Sequence, residues 1–543
     1  MDVLILAAGL GSRLSKYTHN IIPKFLIDLD DNTGLFYLIT YWSKYAENIY
    51  LVIHSKYTKL TEFYIKNLLS DFHLKIKIIN YDESDGTAYT LNNILNNTYF
   101  DKTNNMLLTW CDLYPKDDID FNKLNKLNNP NNPNNIFIFT NGNKCRYNLT
   151  DENKIIHSEE NNGNIIGIYY FQNFKKFNLE KECINNDIVI YLDKIGNGNI
   201  NNFSIDNIID YGDEIKMNYI LENKDYIKKS SNKLKCRFFN SIEIIDKNKL
   251  LKKGINDKGK EIIKKEKNWY EYTKKFNTNN LIPKIFNIYE FAFLMEYKED
   301  YITVNDYISN NIESDENNNN YIKKLILKNI IDKIKVIHNL EKINVTKVFF
   351  FNNLKKEIYD KIIERRNIII DLINYFGNIK KVNNVTIDSF ENILNKCKNI
   401  IIKYYETIDI YEYSIILGDC QFSNILINKD NLEDIVFIDP RGYFGDSLIH
   451  GPTDYDYAKV LYAISGYDNF NLNYFNIDNI DNENINFEIK GIFFEKNIIN
   501  KYFNKVHKAY LVIIWLSLAE YNKNNIWKSL ASYYYGLYLG TLL

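Results

Sequence analysis

Cysteine is sparse and dispersed. Its six residues (Cys111, Cys145, Cys183, Cys236, Cys397 and Cys420) stand singly, with no C-x-x-C pair. That spacing excludes a zinc finger, argues against a disulfide framework, and fits a reducing, cytoplasmic setting. Neither sign of charge is in excess. Lys+Arg number 67 against Asp+Glu 69, a formal net charge of -2, so no global field favours nucleic acid or an anionic membrane. Long apolar runs are also missing. Val3 to Ala8 lacks the basic flank of a cleavable leader, and Tyr510 to Ala519 is far short of the ~20 residues of a membrane span. Only 7 prolines occur in 543 residues, and three of them (Pro23, Pro115, Pro440) fall inside motifs, where a fixed φ shapes a turn.

What is present is globular. Apolar residues make up 45% and charged residues 25%, and a chain this long is expected to bury two or more cores. The Asn-rich stretches at 128–135 and 317–320 read as exposed spacers.

Met1 to Ala8 is short and apolar enough for a buried parallel strand. Gly9-Leu10-Gly11-Ser12-Arg13-Leu14 follows, then Pro23-Lys24. Glycines directly after a strand let backbone N–H groups approach a phosphate chain, and Arg13 and Lys24 can neutralise charge developing on it. A dinucleotide-binding turn would carry a third glycine where Leu14 stands. The full string LAAGLGSRL, with PK eleven residues after Arg13, resembles the signature of the sugar-phosphate nucleotidyltransferases. These join a sugar 1-phosphate to an NTP and release pyrophosphate. The family's usual Pro in R-L-x-P-x-T is Lys16 here.

The resemblance implies nucleotide contacts at Leu6, Ala7, Ala8, Gly9, Gly11, Ser12 and Arg13, and at Gly86, Thr87 and Ala88, which match the family's G-T-A segment. It makes Arg13 and Lys24 catalytic. Asp112, at the end of the strand Met106 to Trp110, matches a Mg²⁺-binding carboxylate. The segment Ile209 to Asp213 supplies the second, with Asp210 favoured over Asp213 because it directly follows Ile208-Ile209. GNIIGIYYF (Gly163 to Phe171) resembles the strand lining the acceptor pocket, with Gly167 making room, and it also reads as a buried bulged strand. Lys144 or Arg146 is expected either to meet a substrate phosphate or to sit in a solvated turn.

Polarity rises from Glu222 to Lys235, which places a domain boundary there: 1–228 and 229–543, the latter with a small lobe at about 233–300 and a large helical lobe at about 301–543. In the second part, LGDCQFSNILINKDNLEDIVFIDPRGYFG (Leu417 to Gly445) sets Asn424 five residues after Asp419 and ends a second apolar run on Asp439. Phosphoryl transfer needs a carboxylate on the attacking hydroxyl and oxygen ligands for Mg²⁺ on the phosphates. With YDYAK (Tyr455 to Lys459), the pattern resembles the aminoglycoside phosphotransferase and choline kinase group. Leu417 stands where that group usually has His. The resemblance implies Asp419 as the catalytic base, Asn424 and Asp439 as metal ligands, and a strand lysine paired with a helical acid on the phosphates. Lys252 (or its neighbour Lys253) and Glu266 suit that pair. Glu296 and Tyr297 read as the hinge that meets adenine. No glycine-rich loop covers the phosphates; either Ser230-Ser231-Asn232 is the substitute or the loop is shorter. His338 falls on an apolar helical face and reads as a packed core residue. Tyr455 to Leu543 reads as mainly helical.

The expected fold is therefore α/β: a Rossmann-like mixed-sheet nucleotidyltransferase domain followed by a bilobal, protein-kinase-like α+β domain. The expected activity is bifunctional. A kinase places phosphate on a sugar, at the anomeric hydroxyl, and a nucleotidyltransferase turns the product into an NDP-sugar. Mg²⁺ is expected at both sites, with ATP and a second NTP (UTP, CTP or GTP) as substrates. The partners are small molecules, with neither nucleic acid nor membrane, and oligomeric state is not readable. Two rival readings keep part of this: choline or another small alcohol as acceptor with a CTP-dependent second step, or a binding or scaffold protein with one inactive domain.

Overall fold

The first strand explains the first sheet. DVLILA (β1, Asp2–Ala7) is buried at every position, which only a strand covered on both faces allows. In the computed structural model it pairs in parallel with β2 (Asn48–Ile53) on one side and with β4 (Asn105–Trp110) on the other. The described residues are 1–29, 32–83, 86–96, 105–126, 135–158, 162–174, 187–196, 199–223, 240–278, 280–310, 316–481, 483–489, 494 and 496–543. By contacts the chain divides into two compact units, Met1–Lys229 and Ser230–Leu543.

In the first unit the remaining strands are β3 (Ile76–Asn80), β5 (Leu113–Pro115), β6 (Ile136–Cys145), β7 (Tyr147–Leu149), β8 (Ile155–His157), β9 (Gly163–Gln172), β10 (Ile200–Ser204) and β11 (Ile208–Asp210). Seven of this unit's eleven described strands form one sheet in the order β10-β6-β9-β4-β1-β2-β3. It is mixed: β9 runs antiparallel to both β4 and β6, while the other neighbours run parallel. Leu4, Leu6, Val52, Leu108, Ile138 and Tyr169 belong to one apolar cluster against this sheet. Because β1 and β4 are parallel neighbours with Leu6 opposite Trp110, the glycine turn after β1 and Asp112 after β4 leave the sheet at the same edge. Open α/β sheets bind ligands at such carboxyl ends.

The second unit begins, among described residues, with an antiparallel sheet in the order β12-β13-β15-β14, formed by β12 (Asn240–Asp246), β13 (Lys249–Gly254), β14 (Ile285–Ile288) and β15 (Ala292–Glu296). The helix Asp257–Thr273 is capped by Asn256, whose side chain accepts from Gly259 N. It packs on β13 so closely that a Cβ at Gly254 would lie 2.5 Å from the Gly259 backbone. Beyond it the unit is largely helical, centred on Glu316–His338, Phe390–Glu406, Thr453–Ile464, Lys505–Tyr521 and Ile526–Leu542. Within it, Ile425–Asn428 and Ile435–Phe437 pair as an antiparallel hairpin carrying the two halves of the candidate kinase motif.

Residues 224–239, with Ser230-Ser231-Asn232, lie outside the described residues. The tail from Tyr455 contains a hairpin, Phe475–Ile480 with Asn484–Ile489. Along Asn484–Ile489 apolar residues alternate with Asn and Glu at period two, and Asp481 turns the chain by accepting from Glu483 N and Asn484 N. No described helix is long and apolar enough to cross a membrane.

Candidate functional site

The first unit's site begins at the turn after β1. Gly11 takes a left-handed conformation (φ 71°) before the short 3-10 turn Ser12–Leu14, and a Cβ there would press on the Lys24 side chain at 3.3 Å. Residues 9–14, Lys24 and Gly212 line one cavity, with Arg13 exposed along it. Lys24 Nζ lies 2.5 Å from Asp112 Oδ2. Burial opposes the ammonium charge, but the Asp112 carboxylate outweighs it and holds Lys24 above the ordinary lysine range. Burial likewise raises Asp112, and Lys24 lowers it by more, so the carboxyl sits below its ordinary value.

Asp210 arrives on β11, which pairs antiparallel with β5 so that Asp210 faces Leu113. A Cβ at Gly212 would lie 2.9 Å from Asp112 Oδ2 and 3.2 Å from Asp210 Oδ1. The two carboxylates therefore converge on a cradle that only glycine leaves open. Burial, with the like charge of Asp112 added, raises the Asp210 carboxyl despite Lys216 Nζ at 2.5 Å. Asp213 does something else: it caps the helix Glu214–Glu222, accepting from Lys216 N. Lys216 was not expected. Its signal was a lysine six residues after the candidate ligand, on the first turn of the following helix.

Gly86 (φ 99°) precedes the helix Thr87–Asn96, Thr87 Oγ1 accepts from Ile188 N at 3.3 Å, and Ala88 is buried. Gly167 (φ 85°) sits where the β6–β9 register shifts. A Cβ there would fall 2.0 Å from Trp110 Nε1, so the space beside this glycine is filled by an indole. Arg146 is exposed between β6 and β7, and the Lys144 side chain lies outside the described residues.

In the second unit, Lys252 Nζ lies 2.8 Å from Glu266 Oε1 and 2.7 Å from Asp439 Oδ1. Strand alternation separates the two lysine candidates: Lys252 is 4% exposed and points inward, while Lys253 faces solvent. Burial opposes the charge of Lys252, yet its two carboxylates hold it above the ordinary range. Burial pushes Glu266 up to about 8. Asp439 adopts φ 56°, an uncommon backbone for a non-glycine residue. Glu296 ends β15, accepting from Lys284 N at 3.2 Å, and Tyr297 N donates to Asn248 O.

The loop Leu417 to Asn424 is held on all sides. Asn424 Nδ2 donates to Asp419 O at 3.0 Å and to Asp419 Oδ2 at 3.2 Å, and Ile438 N donates to Asn424 O, bringing the Asp439 strand alongside. Leu417 N and Gly418 N donate to the Asp456 carboxylate, which also meets His338 Nε2 at 2.9 Å. His338 is thus a buried structural partner. Asp468 accepts from Phe422 N and Ser423 N, and burial pushes its carboxyl up to about 6. Arg441 stacks on Tyr443 with its guanidinium 4.1 Å from the ring centre, and it pairs with Glu357 at 2.6 Å. Asp456, Asp468 and Lys459 were not singled out from sequence as site residues. For Asp456 and Lys459 the signal was charge on a helix whose other positions are mostly apolar; Asp468, on the short helix Tyr467–Asn471, had none.

Among the described residues, no group of three or more His, Cys, Asp or Glu side chains is placed to hold a metal alone. Magnesium rarely asks for that, since it takes one or two carboxylates and completes its shell with phosphate and water oxygens. Asp112 with Asp210, and Asn424 with Asp439, are hard oxygen donors of this kind, and lysine ammonium groups already sit on three of the four.

No protein-family model matches the chain, and no curated protein matches it. Among solved structures, the N-terminal part is similar to the inositol-1-phosphate CTP transferase from T. maritima (18% identity, 41% of this chain and 96% of that one, TM-score 0.32). It is also similar to a UDP-glucose pyrophosphorylase from Acinetobacter baumannii (13%, 42% and 94%, TM-score 0.32). A nucleoside-diphosphate-sugar pyrophosphorylase from Vibrio cholerae RC9 aligns at 15% identity, covering 41% of this chain and 100% of that one, with TM-score 0.32.

Proposed function

We propose that the chain is a bifunctional enzyme of two domains, 1–228 and 229–543, that phosphorylates a sugar at its anomeric hydroxyl and then joins the sugar 1-phosphate to a nucleotide. The observation that carries the reading is that each compact unit gathers its own cluster of lysine and carboxylate groups, from positions distant in sequence, beside a polar loop. Lys24, Asp112 and Asp210 form one, and Lys252, Glu266, Asp439, Asp419 and Asn424 the other.

In the nucleotidyl-transfer site, the backbone N–H groups of residues 9–14 cradle the triphosphate, with Leu6, Ala7, Ala8, Gly86, Thr87 and Ala88 beside the base. Arg13 and Lys24 take up charge as the sugar phosphate oxygen attacks the α-phosphorus and pyrophosphate departs with the bonding pair. Mg²⁺ on Asp112 and Asp210 supplies further neutralisation of the phosphate oxygens when bound. In the kinase site, Lys252, kept in place by Glu266, meets the ATP phosphates, and Glu296 and Tyr297 border the adenine. Asp419 accepts the acceptor hydroxyl proton, while Asn424 fixes the carboxylate. Asn424 and Asp439 would hold Mg²⁺, which would supply charge neutralisation on the ATP phosphates.

The test is mass spectrometry of products after incubation with ATP, each NTP, and a panel of glucose, N-acetylglucosamine, mannose and choline. A sugar 1-phosphate followed by an NDP-sugar supports the reading. Phosphocholine and its CMP adduct would replace the sugar with a small alcohol, and no turnover in either unit would leave a binding protein.

A further inference from the structure

The helix Thr453–Ile464 does more than hold the Asp419 loop by its backbone. Its Asp456 accepts the Leu417 and Gly418 N–H groups, and three residues on, along the same face, Lys459 Nζ reaches Asp419 Oδ1 at 3.0 Å. The other carboxylate oxygen, Oδ2, takes the Asn424 amide at 3.2 Å. Two donors from different elements therefore fix the rotation of this carboxylate. Lys459 is 13% exposed at its side chain, with its ammonium 5.2 Å from the Tyr462 ring centre and 5.9 Å from that of Tyr455. Arg441 opposes it as a like charge, so the site accepts an ammonium group against both burial and repulsion. Two residues after Asp419 the loop offers only Gln421, buried and uncharged.

We infer that Lys459 is a positioning residue of the phosphoryl-transfer site, holding the Asp419 carboxylate aimed at the acceptor hydroxyl. The inference rests on the kinase reading above. In the step it serves, the acceptor oxygen forms a bond to the γ-phosphorus, the bond from that phosphorus to the β,γ-bridging oxygen breaks, and ADP leaves with the electron pair. The hydroxyl proton passes to Asp419 and then to water.

The experiment compares wild type, Lys459→Met, Lys459→Gln and Lys459→Arg, with Asp419→Asn as the inactive control. ADP release with ATP and the four-acceptor panel is followed at neutral pH. The expected result for Lys459→Met is a kcat lower by about tenfold or more with an ATP KM within about twofold, the signature of a misaimed base and not of lost nucleotide binding. Lys459→Arg restores most of the wild-type kcat. Lys459→Gln replaces Lys459→Met if the latter does not fold. A kcat within about twofold of an active wild type in the folded neutral variants, or a loss that Lys459→Arg does not restore, overturns this inference alone. A folded wild type that transfers phosphate to no acceptor overturns the kinase reading and takes this inference with it.

Discussion

Lys252 Nζ sits 2.8 Å from Glu266 Oε1 and, in the same buried position, 2.7 Å from Asp439. One ammonium thus ties a strand, a helix and the loop after a distant hairpin. Removing one partner of a buried pair commonly costs about 3–5 kcal/mol. Glu266, already pushed up to about 8 by burial, can protonate and so limit that loss. Lys252→Met should abolish ATP-dependent phosphorylation and lower stability in urea melts. The Lys252→Met/Glu266→Gln double variant should recover stability without recovering activity.

The two acidic candidates of the 210–213 segment should separate cleanly. Asp210 converges with Asp112 around Gly212, whereas Asp213 caps a helix. Asp112→Asn and Asp210→Asn should each reduce NDP-sugar formation about a hundredfold or more, read by pyrophosphate release. Asp213→Asn should leave it nearly intact, since Asn also caps well.

Glu357 carries a pH prediction. Burial raises its carboxyl, but Arg441 and Lys361 lower it by more, to about 2 against an ordinary 4.5. The folded value is depressed, so its stabilisation is present above the unfolded pKa and is lost as pH falls from about 4.5 to 2. The shift corresponds to about 3 kcal/mol at most. Glu357→Gln should destabilise the second unit by up to that amount at pH 7 and match wild type near pH 2, measured by denaturant unfolding at each pH.

Gly167 is required by a neighbour. With φ 85° and the Trp110 indole 2.0 Å from where a Cβ would stand, Gly167→Ala should destabilise the first unit by about 2 kcal/mol or more. Adding Trp110→Ala should remove the clash while leaving the backbone strain, so the pair should be non-additive in thermal melts.

Much of this was legible because it depends on local chemistry. A buried strand followed by glycines, and an Asp at the end of an apolar run, are read from periods and turns, and the kinase resemblance narrowed the strand lysine to Lys252 or Lys253, which only the burial seen in the structure separates. Other features lacked any spacing signal. Lys459 lies 40 residues after Asp419 on another element, and Glu357 and Arg441 meet across 84 residues. The hairpin at 475–489 was hidden because Asn and Asp, abundant throughout, blur its polar face. Gly167 was read both as room for a ligand and as a bulge in a buried strand; the bulge is present, and the Trp110 contact that makes glycine necessary there comes from a neighbouring strand that spacing does not reveal.

The central claim is two independent active sites in one chain. The most direct measurement quantifies sugar 1-phosphate and NDP-sugar made by folded Lys24→Ala and Asp439→Ala proteins. The account predicts that Lys24→Ala accumulates sugar 1-phosphate and makes no NDP-sugar. Asp439→Ala should make no sugar 1-phosphate yet convert supplied sugar 1-phosphate to NDP-sugar. Loss of both activities from either substitution alone, in protein that remains folded, would contradict it.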